Sequence, residues 1–133
     1  MSSRRRRPPV VFLDESIDAE SAAKALRDAG ATVERARQHF APGTPDEEWL
    51  TAVGGRGWIV FTRDKRIRYR ELELESLIAA RVRAFVFIGG NVTGIDTATA
   101  LAKAFPKVAK IAASERPPFV YNIGRSGNVT KVR

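Results

Sequence analysis

The chain has 133 residues, 44% of them hydrophobic, which suffices for one domain with a buried core and leaves no room for a second catalytic domain. It contains no cysteine, which excludes a disulfide framework and a thiolate zinc site, and no apolar run approaches the length of a membrane span, so a cytoplasmic protein is expected. A formal net charge of +8 favours polyanionic partners through phosphate contacts.

Four of the positive charges form the block Arg4 to Arg7, flanked by Ser2, Ser3, Pro8 and Pro9. This composition cannot pack, so residues 1–9 are expected to be a disordered basic tail, either a solubilising segment or a nucleic-acid arm, preceding one domain over residues 10–133. Removing those four from the 23 basic residues leaves 19 against 15 acidic ones, so the folded body is itself basic.

Val10 to Leu13 is a short continuous apolar run, as expected of a parallel strand covered on both faces, and Asp14 sits at its end. Ser16 or Asp18 is placed to cap a helix carrying Ala19, Ala22, Ala23 and Leu26, with Gly30 as its stop. Ala31 to Glu34 reads as a second strand, followed by a loop through Gln38, His39, Phe40, Ala41, Pro42 and Gly43. Thr44, Pro45 and Glu47 have the spacing of a capping box with proline at the first helical position, predicting a helix from there to about Val53.

Trp58 to Phe61 is another β-rich run, closing at Thr62, Arg63 and Asp64. A helical pattern from about Tyr69 to Arg81 follows, then an apolar strand from Ala84 to Ile88 that ends in Gly89, Gly90 and Asn91, a candidate phosphate-facing turn. Thr93 to Phe105 reads as a helix, Pro106 as the start of a shorter one, and Pro117 and Pro118 as its end. Phe119 to Ile123 and Val129 to Val132 flank turn residues and predict a terminal hairpin. The alternation implies an α/β fold with a mainly parallel sheet and helices on both faces.

Parallel strands linked by helices end on one edge, where ligands bind. Asp14 and Asp64 each follow a strand, and Asp46 begins a helix at that edge. Helical phase puts Asp46 on the face shared by Trp49, Leu50 and Val53, where an unpaired carboxylate is costly. Clustered carboxylates raise each other's pKa unless a cation is present, and an all-oxygen donor set suits Mg²⁺ or Mn²⁺. Asp14, Asp46 and Asp64 are therefore the candidate metal ligands.

Asp64 is surrounded by Arg63, Lys65, Arg66, Arg68 and Arg70. Arg63, Lys65, Arg66 and Arg68 are candidate RNA contacts, with Lys65 the preferred transition-state stabiliser; the alternative is a solvated face paired with Glu71, Glu73 and Glu75. His39 could approach the site or be structural, Trp49 should be core, and Trp58 and Tyr69 could stack on bases or pack inside.

The stretches Phe12-Leu13-Asp14-Glu15, Thr44-Pro45-Asp46-Glu47-Glu48-Trp49-Leu50 and Val60-Phe61-Thr62-Arg63-Asp64-Lys65 resemble the signatures of PIN-like domains, above all the compact branch related to the VapC toxins of toxin–antitoxin pairs. The resemblance implies a three-layer α/β/α sandwich, Mg²⁺- or Mn²⁺-dependent endoribonuclease activity, homodimeric assembly and a small antitoxin as partner. By motif position Asp14, Asp46 and Asp64 match the family's acidic residues. The chain lacks a clear equivalent of the further acid of larger members, for which Glu15 is the candidate. The corresponding chemistry is attack of a metal-activated water on an RNA phosphodiester, with Lys65 and neighbouring arginines offsetting the developing charge.

Two other readings use the same residues. The basic edge could bind RNA or a protein tail without cleaving. Alternatively, a phosphoacceptor receiver domain would use Asp14 and Glu15 as a metal pair, Asp64 as acceptor, and Thr93 and Lys110 as its later threonine and lysine.

Overall fold

Short β-branched and aromatic runs alternate with helices along residues 9–133, the part of the chain that the computed structural model describes. The Arg4 to Arg7 block, and with it the expected tail up to Pro8, lies outside the described residues. Strands β1 (Val10–Leu13), β2 (Thr32–Arg35), β3 (Ile59–Thr62), β4 (Arg83–Phe87), β5 (Phe119–Ile123) and β6 (Val129–Lys131) form one six-stranded sheet in the order β2-β1-β3-β4-β5-β6. The first five run parallel, and β6 returns antiparallel along β5 as the terminal hairpin.

Alternation along the strands divides the apolar side chains between two layers. Val11, Leu13, Ile59, Phe61, Phe85 and Phe87 face helices α1 (Glu20–Asp28) and α5 (Gly94–Ser114), whereas Phe12, Val60, Ala84 and Val86 face the short helix α2 (Ala36–His39), α3 (Asp46–Gly55) and α4 (Glu71–Ala79). Phe12, Phe61 and Phe85 are fully buried, each contributing about 1.5–3 kcal/mol by leaving water. The result is the α/β/α sandwich expected from the sequence.

Helix α1 ends as predicted. Gly30 takes a φ of +107°, and the Gly30 and Ala31 amides donate to the Arg27 and Leu26 carbonyls at 3.0 Å, a Schellman stop. Its start differs: the first residue outside the helix is Ala19, because Ser16 and Asp18 are used elsewhere.

The expected capping box at α3 does not form. The Thr44 hydroxyl donates to the Ala41 carbonyl at 2.6 Å, and the first helical carbonyl is that of Pro45, which accepts from the Glu48 and Trp49 amides. The helix also continues through Gly54, where a Cβ would lie 2.3 Å from the Ala80 carbonyl oxygen. Glycine is kept there by the close approach of α3 to the end of α4. Three further boundaries differ from expectation: residues 36–39 are helical, α4 begins only at Glu71 after a 3-10 turn (Lys65–Arg68), and α5 runs unbroken through Pro106. Pro106 lies on the exposed side of α5 while Leu101, Ala104, Phe105 and Val108 keep an apolar stripe buried across it. That continuous burial outweighs the interior proline, which costs about 3 kcal/mol. Among the described residues no helix is long and apolar enough to cross a membrane.

Candidate active site

The ends of β1 and β3 are adjacent in the sheet, with Leu13 opposite Phe61, so the chain segments that follow them share one edge. A cavity of about 550 Å³ opens there, and Asp14, Glu15, Asp46 and Asp64 all line it. Asp14 comes from the end of β1, Asp46 from the first turn of α3, and Asp64 from the segment leaving β3.

Asp14 is the most enclosed of the three, 6% exposed. Its Oδ1 accepts from the Ser16 hydroxyl at 2.5 Å and the Ser16 amide at 3.0 Å, and its Oδ2 accepts from the Thr62 hydroxyl at 2.5 Å. Burial pushes its carboxyl up to about 6; the hydrogen bonds from Ser16 and Thr62 oppose this, and the neighbouring charge of Asp46 adds to it. Ser16 and Thr62 are in turn fixed, since the Arg63 amide donates to the Ser16 hydroxyl at 2.8 Å and the Asp64 amide to the Thr62 hydroxyl at 2.9 Å. These hydroxyls tie β1 to β3 at the site.

Asp46 is half-buried, and its Oδ1 accepts from the Trp49 indole at 2.9 Å. Burial raises its carboxyl, with Asp64 and Glu73 adding to the rise, while the Trp49 hydrogen bond and Arg66 act against it. Asp64 behaves oppositely. Arg66 grips it through Nε and Nη2, at 2.9 and 2.8 Å, and the Arg66 amide donates to it at 3.0 Å. Those bonds hold Asp64 below the usual carboxylate range against its partial burial. Among the described residues no three His, Cys, Asp or Glu side chains stand in a preformed metal-ligating array. The three aspartates share a cavity, where Asp46 adds to the rise at Asp14 and Asp64 to that at Asp46, with Asp64 turned to Arg66.

A family model described as a PIN like domain matches residues 9–89, a span that contains all three aspartates and more than half of the chain. The chain belongs to the PIN-like domain family. The resemblance drawn from the three sequence stretches is thereby borne out, as is the α/β/α architecture. This PIN-like domain is also similar to a Mycobacterium tuberculosis (strain ATCC 25618 / H37Rv) protein named "Putative ribonuclease VapC45", at 26% identity over 117 residues, covering 85% of this chain and 84% of that protein. No solved structure matches the chain.

The basic stretch of this PIN-like domain does not act as one patch. Arg66 lines the cavity. Arg63 turns the other way: it donates to the Gly90 carbonyl and the Thr97 hydroxyl, and its guanidinium lies 5.0 Å from the centroid of the Phe87 ring. It pins the turn after β4 to α5; glycine is required in that turn because a Cβ on Gly89 would lie 2.2 Å from the Phe87 ring and Gly90 takes a φ of +78°. Arg68 reaches the Lys65 carbonyl and Asn122, and Lys65 is exposed on the 3-10 turn; none of Arg63, Lys65 and Arg68 lines the cavity. Among the described residues Glu71, Glu73 and Glu75 form no ion pair with these cations. Glu15 lies at the cavity mouth, accepting from the Gly43 amide at 3.3 Å. His39 pairs with Glu34 at 2.6 Å and sits edge-on to Trp58, outside the cavity. Trp49 is core, and Tyr69 is exposed.

Several residues that shape this PIN-like domain's site were not singled out from the sequence. The Asp14-x-Ser16 spacing is that of a local side-chain turn, a signal that could have marked Ser16. Thr62 carried no signal beyond its place two residues before Asp64. Arg37 and Phe40, which line the cavity, lie in a segment read as loop.

Proposed function

We propose that this PIN-like domain is a metal-dependent endoribonuclease, with Asp14, Asp46 and Asp64 as the residues that hold Mg²⁺ or Mn²⁺. The observation that carries the reading is the shared cavity: three aspartates distant in sequence line it, at the edge where parallel strands end. The donor set fits such an ion. All donors are oxygens, and the two least exposed to positive charge, Asp14 and Asp46, have raised pKa values, the condition that a cation relieves. Glu15 is the candidate fourth acid. When bound, the ion would supply Lewis acidity and a bound water of lowered pKa as nucleophile.

The protein's own groups do the positioning. Ser16 and Thr62 orient the Asp14 carboxylate, Trp49 orients that of Asp46, and Arg66 meets negative charge beside Asp64. Arg66 is therefore better placed than Lys65 to face a phosphate, and cation binding at Asp64 competes with its ion pair. The likeness to a protein named as a VapC ribonuclease, with the motif resemblance, supports a toxin-type ribonuclease whose partner is a small antitoxin.

The receiver reading loses its support, because Lys110 lies within α5 and Thr93 caps that helix by accepting from the Asp96 amide. Purified protein is expected to cleave single-stranded RNA when Mg²⁺ or Mn²⁺ is added, and to lose that cleavage with Asp14→Ala or Asp64→Ala while still binding RNA. Undiminished cleavage by both variants would discard the site, and RNA binding without cleavage by the parent protein would favour a binding module.

A further inference from the structure

The carboxylates account for one wall of the cavity. A further part of the lining comes from α2 and the turn after it, where Ala36, Arg37, Phe40 and Pro42 border the space. Phe40 is half-buried and set edge-on to Phe12, with ring centroids 5.8 Å apart, so it presents an aromatic surface on a rigid aromatic base. Arg37 is held by Asp18, which also lines the cavity: its Nε lies 3.5 Å from Asp18 Oδ2 and its amide donates to the same oxygen at 3.3 Å. Asp18 is itself fixed by Arg35, and these two side chains are only 5% and 9% exposed. The Arg37 side chain is 68% exposed, and among the described residues its terminal nitrogens make no hydrogen bond. It is a second cavity-lining cation beside Arg66, with both terminal nitrogens available where Arg66 commits Nε and Nη2 to Asp64.

A cavity of about 550 Å³ falls within the range of roughly 300–1,000 Å³ that encloses small ligands, and it combines an apolar surface with a few convergent polar groups. Guanidinium suits phosphate, and an aromatic face suits any base. We propose that this part of the lining is a subsite for one unpaired RNA nucleotide adjoining the scissile phosphodiester, with the nucleotide's phosphate on Arg37 and its base against Phe40. The inference rests on the ribonuclease reading and deepens it at named residues: the nucleotide next to the scissile bond must be unpaired, because a base stacked inside an A-form duplex cannot reach Phe40.

The test uses the full chain carrying Asp14→Asn to prevent cleavage, with a fluorescein-labelled single-stranded hexaribonucleotide as probe and anisotropy as readout. Adding Phe40→Leu, which keeps apolar volume against Phe12, is expected to weaken binding about tenfold. Adding Arg37→Ala should weaken it and reduce the slope of log affinity against log salt by about 0.7, with Arg37→Lys recovering that slope. Binding of a duplex of the same length should change little, and Lys103→Ala, on the exposed side of α5, should bind like the parent. Melting curves verify that each variant is folded. Unchanged hexanucleotide binding in folded Phe40→Leu and Arg37→Ala proteins would overturn the subsite even if the wild-type chain cleaves RNA. Binding that depends on both residues in a chain that never cleaves would uphold the subsite and remove the nuclease reading instead.

Discussion

The Thr62 hydroxyl donates to Asp14 Oδ2 at 2.5 Å across 48 positions of sequence, joining the end of β3 to the end of β1 inside the site. The same hydroxyl accepts from the Asp64 amide, so one small side chain positions two of the three aspartates.

Thr62→Val keeps the shape and removes both bonds. It should destabilise the fold by about 1–3 kcal/mol in urea denaturation, because buried polar atoms lose their partners. It should also raise the Asp14 pKa further, since the lost bond favours the ionised form. The acid limb of the cleavage–pH profile should then move to higher pH, and Thr62→Ser should restore both quantities.

Asp14 itself is expected to cost stability. Its carboxyl titrates at about 6 in the folded chain against 3.8 as the unperturbed value, so between those pH values the folded state binds more protons than the unfolded one. Stability from this group therefore falls as pH rises from 3.8 through 6 and stays reduced above. Asp14→Asn should be more stable than wild type at pH 7 to 8 by on the order of 3 kcal/mol, with the advantage vanishing near pH 4. Added Mg²⁺ should raise the wild-type melting temperature and leave that of Asp14→Asn largely unmoved.

Arg66→Ala releases Asp64 and lets its pKa return toward the ordinary carboxylate value. Removal of a guanidinium from among the carboxylates should tighten Mn²⁺ binding severalfold by calorimetry while slowing RNA cleavage at saturating metal. Equal loss of metal affinity and cleavage would contradict the assignment of Arg66 to the substrate side.

Arg35 and Asp18 form a buried pair, with Glu20 completing the contacts of Arg35. Arg35→Ala leaves the enclosed Asp18 charge with only the longer contact to Arg37, at 3.5 Å, and should cost up to about 3–5 kcal/mol in denaturant unfolding. Asp18→Asn in the same chain should return part of that loss, giving a non-additive double-mutant cycle.

Much of the framework was legible along the chain because its causes are local. Apolar runs at Val10 to Leu13 and Trp58 to Phe61, each followed within a few residues by an aspartate, announced covered strands with acids at their ends. Gly30 announced the stop of α1. Where a signal depended on competition between partners, reading along the chain went astray. Thr44 had the spacing of a helix cap, yet its hydroxyl is taken by the Ala41 carbonyl. Pro106 looked like a break, yet burial on the opposite side of α5 carries the helix through it.

Thus, α2, the 3-10 turn and the unbroken α5 apart, the succession of strands and helices, the parallel sheet and the gathering of Asp14, Asp46 and Asp64 at one edge followed from patterns spanning a few residues, which local backbone preferences and burial periodicity are enough to write. Which cations face that edge was decided only in three dimensions. Arg63 sits one residue from Asp64 yet points to Thr97 and Phe87, while Arg37, 27 residues away in the chain, lines the cavity. A long flexible side chain goes to whichever carboxylate, carbonyl or ring the packed layers bring within reach, and that choice is made by the assembled sheet and helices rather than by the neighbouring letters.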